Sequence, residues 1–411
     1  MANIRPFKCI RPRKDAASRV AALPYDVYNR KEAKEAVAKE ELSFLKIDRA
    51  ETQFDDSVEP YDDRVYLKAR EILDNMIAEG ILVEDNAECY YLYELKMGDR
   101  RQTGIVACAS IDDYLNNRIK KHENTREDKE IDRIRHVDTC SAQTGPIFLA
   151  YRAVQEINEI VDEAKELSPV YDFVSEDGIG HRVWKMDASE RIAAIKEQFG
   201  AISDIYIADG HHRAASAVKV GLKRRAENPD YDGGEEFNYF LSVLFPDEQL
   251  KIMDYNRAVR DLNGHTREEF LEIISEDFEL EEMGKEPFQP PAKGVVGMFL
   301  AGSWYKLTAK KHLLSTDPVE GLDVSILQNH LLAPVLGVMD PRTDKRIDFI
   351  GGIRGLKELE KRCQEDMTVA FAMYPTQIEE LFSVADAGRL MPPKSTWFEP
   401  KLRSGLFIHR I

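Results

Sequence analysis

The chain predicts a mixed α/β (α+β) fold. Three observations carry that expectation: short apolar runs that read as buried strands, amphipathic runs at helical spacing between them, and glycine turns joining the two. Ile205 to Ala208 reads as a buried strand, and a glycine turn follows at Gly210. Ala214 to Val220 then reads as a small-residue helix ending at Gly221. Cys89 to Met97 and Thr103 to Ile111 read as strands joined by a Gly98-Asp99 turn.

The remaining elements follow in order. Asn29 suits the cap of a helix from Arg30 to Lys39. Val65, Ala69, Ile72, Leu73 and Met76 fall on one helical face, closed by Gly80. Arg118 to Asp138 is very polar and reads as a helix or an ordered loop. Gly145 to Tyr151 predicts a strand, Val154 to Ala164 a helix, and Val174 to Gly180 a hairpin connection. Ala188 to Phe199 predicts a helix closed by Gly200, and Arg224 to Glu236 an exposed loop. Tyr239 to Phe245 predicts a further buried strand. Thr266 opens a helix with a capping box, and Val295 to Leu300 pairs with Ser303 to Leu307. Pro287, Pro290 and Pro291 make Glu286 to Lys293 read as a linker, and helix and strand alternate beyond it.

With 411 residues the chain is long enough for two or three hydrophobic cores. A soft boundary near Asp254 divides it into a region 1–254 and a region 255–411. The hydrophobic fraction of 43% fits a globular protein. A net charge of -17 argues against general nucleic-acid binding, which needs a positive field. Five scattered cysteines without a CxxC pair predict reduced thiols in a cytoplasmic protein. No window approaches the ~20 apolar residues of a membrane span, so no membrane partner is expected.

Four segments gather chemistry. The first is Asp209-Gly210-His211-His212-Arg213, at the junction of strand and helix. A helix N-terminus favours an anion, phosphate above all, and a guanidinium adds planar paired donors. Asp209 suits a metal ion or a transferable proton. The second is Pro24-Tyr25-Asp26-Val27, where Asp26 fits a base or metal ligand and equally an Asx turn. In the third, His122-Glu123-Asn124-Thr125, His and Glu suit proton transfer, and a solvated helix face is the competing reading. The fourth runs from Met391 to Lys401. Three prolines and two aromatics stiffen a loop presenting Lys394, Ser395, Thr396 and Lys401. It reads as a phosphate or carboxylate clamp, or as a proline-rich surface segment. GxSxG, GxGxxG and GxxxxGK[ST] patterns are absent, which weakens hydrolase, dehydrogenase and P-loop readings.

PYDV at 24–27, HENT at 122–125, GPIF at 145–148, IADGHHR at 207–213, LDVSIL at 322–327 and MPPKSTWFEPKLRSGL at 391–406 together resemble a prokaryotic family catalogued as domain of unknown function 1015. The IADGHHR turn alone is similar to the phosphate-binding turn of the ParB/sulfiredoxin superfamily, which includes free-serine kinases. The resemblance implies a ParB/sulfiredoxin-like nucleotide-binding core with large insertions and a C-terminal α/β domain. It implies that Gly210, His211, His212 and Arg213 cradle phosphates, and that Asp209 is the base or the Mg²⁺-side carboxylate. Asp26 and Glu123 are both candidates for the kinases' upstream catalytic Glu. Tyr25, His122 and Thr125 are placed on the substrate side, with His211 counted among the catalytic groups. Sulfiredoxin's reactive Cys is replaced here by His211. The expected activity is therefore phosphotransfer from ATP or ADP, with Mg²⁺, to a small hydroxylated metabolite, free L-serine first. A phosphoserine-type phosphatase and a non-enzymatic nucleotide-gated switch remain the alternatives.

Overall fold

The computed structural model describes residues 1–411. By contact the chain separates into two compact units. One holds residues 1–121, 125–250 and 400–411, and the other holds 122–124 and 251–399. Both are mixed α/β. No helix is long and apolar enough to cross a membrane.

The first unit is built on a nine-stranded sheet. Its strand order is Ile119–Lys120, Ile205–Asp209, Ile147–Tyr151, Tyr239–Pro246, Arg100–Ser110, Tyr90–Met97, Gly180–Met186 and Tyr171–Val174, with Ile4–Arg5 also paired to Arg100–Ser110. Two pairings are parallel, Ile205–Asp209 with Ile119–Lys120 and Tyr239–Pro246 with Ile147–Tyr151. The rest are antiparallel. The inner strands carry continuous apolar runs and are buried on both faces. Ile147–Tyr151 is buried along its whole length, as is Tyr90–Met97 up to Leu95. One core packs Leu92, Ile105, Leu149, Ile207, Phe240 and Leu244 with the helices around them. A second core gathers the N-terminal helices through Phe44, Leu45, Ile47, Leu73 and Met76.

Local signals place many elements well. Asn29 and Glu32 form a reciprocal capping box at the start of Arg30–Lys39. Thr266 and Glu269 do the same for Arg267–Ile274. Gly98 turns with φ 61° between Tyr90–Met97 and Arg100–Ser110. The polar stretch after Thr125 becomes the helix Glu127–Cys140, which packs against His211–Glu227.

Gly221 and Gly200 behave differently from the expectation that they end helices. The helix His211–Glu227 runs through Gly221, and Ser189–Ala201 includes Gly200. The reason at Gly221 is packing: a Cβ there would press into the Phe237 carbonyl and the Ile111 side chain. Lys223 and Arg224 continue the helix and pair with Asp138. The exposed loop therefore begins only after Glu227.

The second unit centres on a six-stranded sheet, ordered Phe278–Gly284, Ser303–Ala309, Val295–Leu300, Val369–Ala372, Tyr255–Val259 and Ile347–Gly351. Its pairings are all antiparallel. The proline-rich stretch 286–293 connects two strands of this one unit and so is not a linker between units. Val324 to Val335 is not one continuous α-helix: Asp323–Leu327 is α-helical and Gln328–Leu332 a π-turn.

Two outcomes follow from this packing. Helix propensity alone favours Ala over Gly by ~1 kcal/mol, but the crowding at Gly221 reverses the sign. Gly221→Ala is expected to destabilise the chain by about 1–3 kcal/mol in urea unfolding. Asp323 is 8% exposed, and both its oxygens accept from the Gly294 N–H, at 2.9 and 3.1 Å. Burial pushes its carboxyl up to about 6, against the lowering effect of that hydrogen bond. The native state therefore holds a proton that the unfolded chain has released between roughly pH 4 and 6. Stability falls as pH rises through that window, by ~3 kcal/mol in all. Asp323→Asn should abolish the slope, exceeding the parent chain in urea midpoint at pH 7 and matching it at pH 4.

Candidate functional site

The strand Ile205–Asp209 sits inside the first sheet and carries its last side chain to the sheet's end. Its register against Ile147–Tyr151 shifts between Ile207 and Asp209. Gly210 then takes φ 94° and ψ 32°, a left-handed conformation that costs glycine little. The helix His211–Glu227 starts at once, so its N-terminal dipole end lies one residue from the Asp209 carboxylate.

Three separate stretches converge on this turn. Arg213 folds back over Gly210: a Cβ there would lie 3.1 Å from both Nε and Nη2. Its Nη1 donates to the Pro146 carbonyl at 2.6 Å. A Cβ on Gly145 would stand 3.1 Å from Ser404 Oγ and 3.6 Å from Arg213 Nη1. The third stretch brings Lys401, whose Nζ is 3.1 Å from Asp209 Oδ2. Burial would raise the Asp209 carboxyl, but Lys401 and Arg213, with His211 adding to them, hold it well below the usual carboxylate range. Asp209 is thus a firmly ionised group, about a third exposed (32%).

Behind Arg213 lies a cavity of about 30 Å³, lined by Tyr25, Arg133, Thr144, Gly145 and Ser404 among others. That is room for a water or two. Tyr25, Asp48, Arg133 and His136 form a wall that this cavity shares with a larger cleft of about 350 Å³. The Arg133 guanidinium stacks 4.1 Å from the Tyr25 ring centroid and donates through Nε to Asp132 at 2.9 Å. Tyr66 Oη donates to the same carboxylate at 2.8 Å. Thr144 Oγ1 donates to Asp48 at 2.8 Å. His136 is buried against the Ile47 carbonyl, and burial with the Arg133 charge lowers its pKa. Asp26 is exposed on the cleft wall, in the 3₁₀ turn Tyr25–Val27. Arg49 fixes that turn by donating to the Tyr25 and Tyr28 carbonyls at 3.0 and 2.5 Å.

The HENT stretch divides between the units: Thr125 belongs to the first, His122 and Glu123 to the second. Thr125 Oγ1 donates to Glu130 at 2.7 Å, beside the start of Glu127–Cys140. In the second unit the His122 carbonyl accepts from the Met391 N–H at 2.8 Å, and its Nε2 is 3.3 Å from Thr396 Oγ1. Two expected site residues 274 positions apart are therefore neighbours. Lys394 takes φ 60° and sets its ammonium 5.7 Å from the Tyr255 ring centroid. The Ser395 hydroxyl donates to the Pro392 carbonyl at 2.6 Å, so it serves the loop's own shape.

Within the first unit, then, Asp209, Gly210, Arg213 and Lys401 meet, with Tyr25 on the cavity behind Arg213. Sequence reasoning missed Asp48, Arg133, Thr144 and Ser404. Arg133 is hidden in a run of charges, where one buried arginine looks like its exposed neighbours.

A family model described as protein of unknown function (DUF1015) matches residues 4–325. The chain belongs to this family. No curated protein matches it. Solved structures similar to this DUF1015 chain include a free serine kinase variant in complex with ADP, at 13% identity and TM-score 0.37, over 72% of this chain and 87% of that one. SbnI from Staphylococcus aureus, truncated at its C-terminus, is similar at 12% identity and TM-score 0.39, over 72% and 82%. A conserved hypothetical protein from Pyrococcus furiosus is similar at 15% identity and TM-score 0.36, over 73% and 93%.

The turn of this DUF1015 chain depends on Gly210 twice, for its positive φ and for the space Arg213 occupies. Gly210→Ala should therefore cost about 1–2 kcal/mol from the left-handed backbone alone, before any displacement of Arg213. A urea midpoint unchanged from the parent chain would contradict this geometry.

Proposed function

We propose that this DUF1015 chain is a small-molecule phosphotransferase, moving a phosphoryl group from ATP or ADP to the hydroxyl of a small metabolite. Free L-serine is the leading acceptor, because the IADGHHR turn resembles that of free-serine kinases. The observation that carries the reading is the junction of a left-handed Gly210, a 17-residue helix starting at His211, and the cations Arg213 and Lys401 at one strand end. Helix N-termini and guanidinium groups are the usual cradle of phosphates.

Phosphoryl transfer asks for positioning and charge neutralisation more than for covalent help from the protein. The donor phosphates lie against the helix start, with His211, His212 and Arg213 around them. Asp209, ionised and tied to Lys401, is a poor proton acceptor and a good carboxylate for the metal side. Asp209 is the residue that would hold Mg²⁺. Mg²⁺ supplies charge neutralisation at the phosphates. The acceptor occupies the cleft beside Tyr25 and Arg133, where Asp26 orients its hydroxyl. The acceptor oxygen forms the new P–O bond as the bond to the nucleotide breaks. Its proton passes to Asp26 or to solvent.

Phosphorus NMR on the full chain with Mg²⁺, L-serine and ATP or ADP tests the reading. The expected result is a new phosphoserine signal that disappears in Asp209→Asn. Arg213→Ala should cost ~3 kcal/mol of transition-state stabilisation, or about 10²-fold in kcat/KM. Phosphate released from phosphoserine without nucleotide would overturn the proposal in favour of hydrolysis. Nucleotide binding without turnover of any hydroxylated acceptor would overturn it in favour of a switch.

A further inference from the structure

The second unit contains a buried positive charge that the proposed reaction does not use. Arg257 sits mid-strand in Tyr255–Val259, opposite Phe349 on one side and Phe371 on the other. It is 3% exposed. Burial lowers its pKa to about 10, with only Tyr255 acting against the shift. Its hydrogen bonds go to two backbone carbonyls: Nη1 donates to Tyr255 O, and Nη2 to Lys394 O at 3.1 Å. These use two of its five N–H donors. None of the ion pairs in the structure involves Arg257.

The acids closest to it in sequence or strand register are committed elsewhere. Asp254 accepts from Asn256 at 2.6 Å, Asp348 from Arg362 at 2.6 Å, and Glu399 from Trp397 Nε1 at 2.9 Å. Burying a guanidinium without a counter-charge is costly, and a bound anion would supply that counter-charge. The guanidinium carbon is 5.4 Å from the Phe349 ring centroid. Tyr255 packs edge-on to Trp397 at 4.9 Å and carries the Lys394 ammonium on its face. Lys394 is exposed and Phe349 half-buried, which marks the side open to solvent. Lys394 holds its left-handed backbone (φ 60°) where its carbonyl meets Arg257. A non-glycine residue in that conformation stores strain of the kind found at binding sites.

We infer that Arg257, with Lys394 above it, forms an oxyanion-binding site in the second unit, taking the phosphate or carboxylate group of a small molecule. The site is independent of the Gly210 turn. The sequence-level clamp of Lys394, Ser395 and Thr396 is thereby reassigned: its anchoring charge is Arg257, and Ser395 shapes the loop.

Equilibrium dialysis with radiolabelled inorganic phosphate tests this at constant ionic strength. Arg213→Ala is used as the parent chain, so that phosphate at the Gly210 turn does not contribute. One phosphate per chain is expected. Arg257→Lys should weaken it about tenfold, and Arg257→Met should abolish it. Competition by acetate at similar concentration assigns the site to carboxylates, and resistance to acetate assigns it to phosphates; both support it. No phosphate bound to the Arg213→Ala chain would overturn the inference, whatever the Arg257 variants do. Unchanged binding in Arg257→Lys and Arg257→Met would overturn it equally. Phosphotransfer by the unmodified chain is a separate readout, so this inference and the proposed function fail independently.

Discussion

A backbone that must turn left-handed at Gly210 is the constraint on which the candidate site depends. The turn ends a buried strand and starts a helix within one residue, which is why a carboxylate and a helix N-terminus can stand side by side. An ionised carboxylate next to a positive helix end is attracted to it. Lys401 changes that balance. Reaching back across 192 positions, it gives Asp209 a dedicated partner, and Arg213 is drawn aside to the Pro146 carbonyl. The charges of the turn are thereby held apart in fixed places.

The same arrangement explains why residues 400–411 belong to the first unit although 251–399 do not. Lys401 pairs with Asp209, Ser404 approaches Gly145, and Arg403 pairs with Asp177 while donating to Ser175 at 3.0 Å. His409–Arg410 adds a short strand to Ala142–Gln143. A C-terminal stretch tied down by ion pairs, close backbone contacts and strand pairing is as much part of the first unit as its sheet is.

Much of this was legible in the sequence, and the parts that were share a physical cause. Strand Ile205–Asp209, the Gly210 turn and both capping boxes are decided by residues within a few positions of each other. Arg213 and Lys401 stand out in the sequence as cations because motif spacing puts one at a helix start and the other on a stiff loop, and both meet at the Asp209–Gly210 turn. The Gly221 reading failed because glycine carries two opposite messages: helix end and close approach. The deciding contact, the Phe237 carbonyl, is 16 positions away. Arg133 failed for a different reason. Eight of the fourteen residues in Glu127–Cys140 are charged, and pattern alone does not say which face of such a helix is buried.

Arg257 shows where sequence reading runs out in principle. Its strand, Tyr255–Val259, is buried at every position, so neither alternation nor composition distinguishes the one charge inside it from a residue at an exposed edge. What marks it is an accounting of partners: two carbonyls, three rings nearby and no acid. Hydrophobic burial in the surrounding sheet can sustain that cost in the folded state, since sheets of this size bury far more apolar surface than one ion forfeits. Leu or Met at the same place would remove the charge but leave the Tyr255 and Lys394 carbonyls without this donor. What Arg257 does visibly is tie Lys394 to the strand, 137 positions away, and the counter-charge it lacks is what a bound oxyanion would supply.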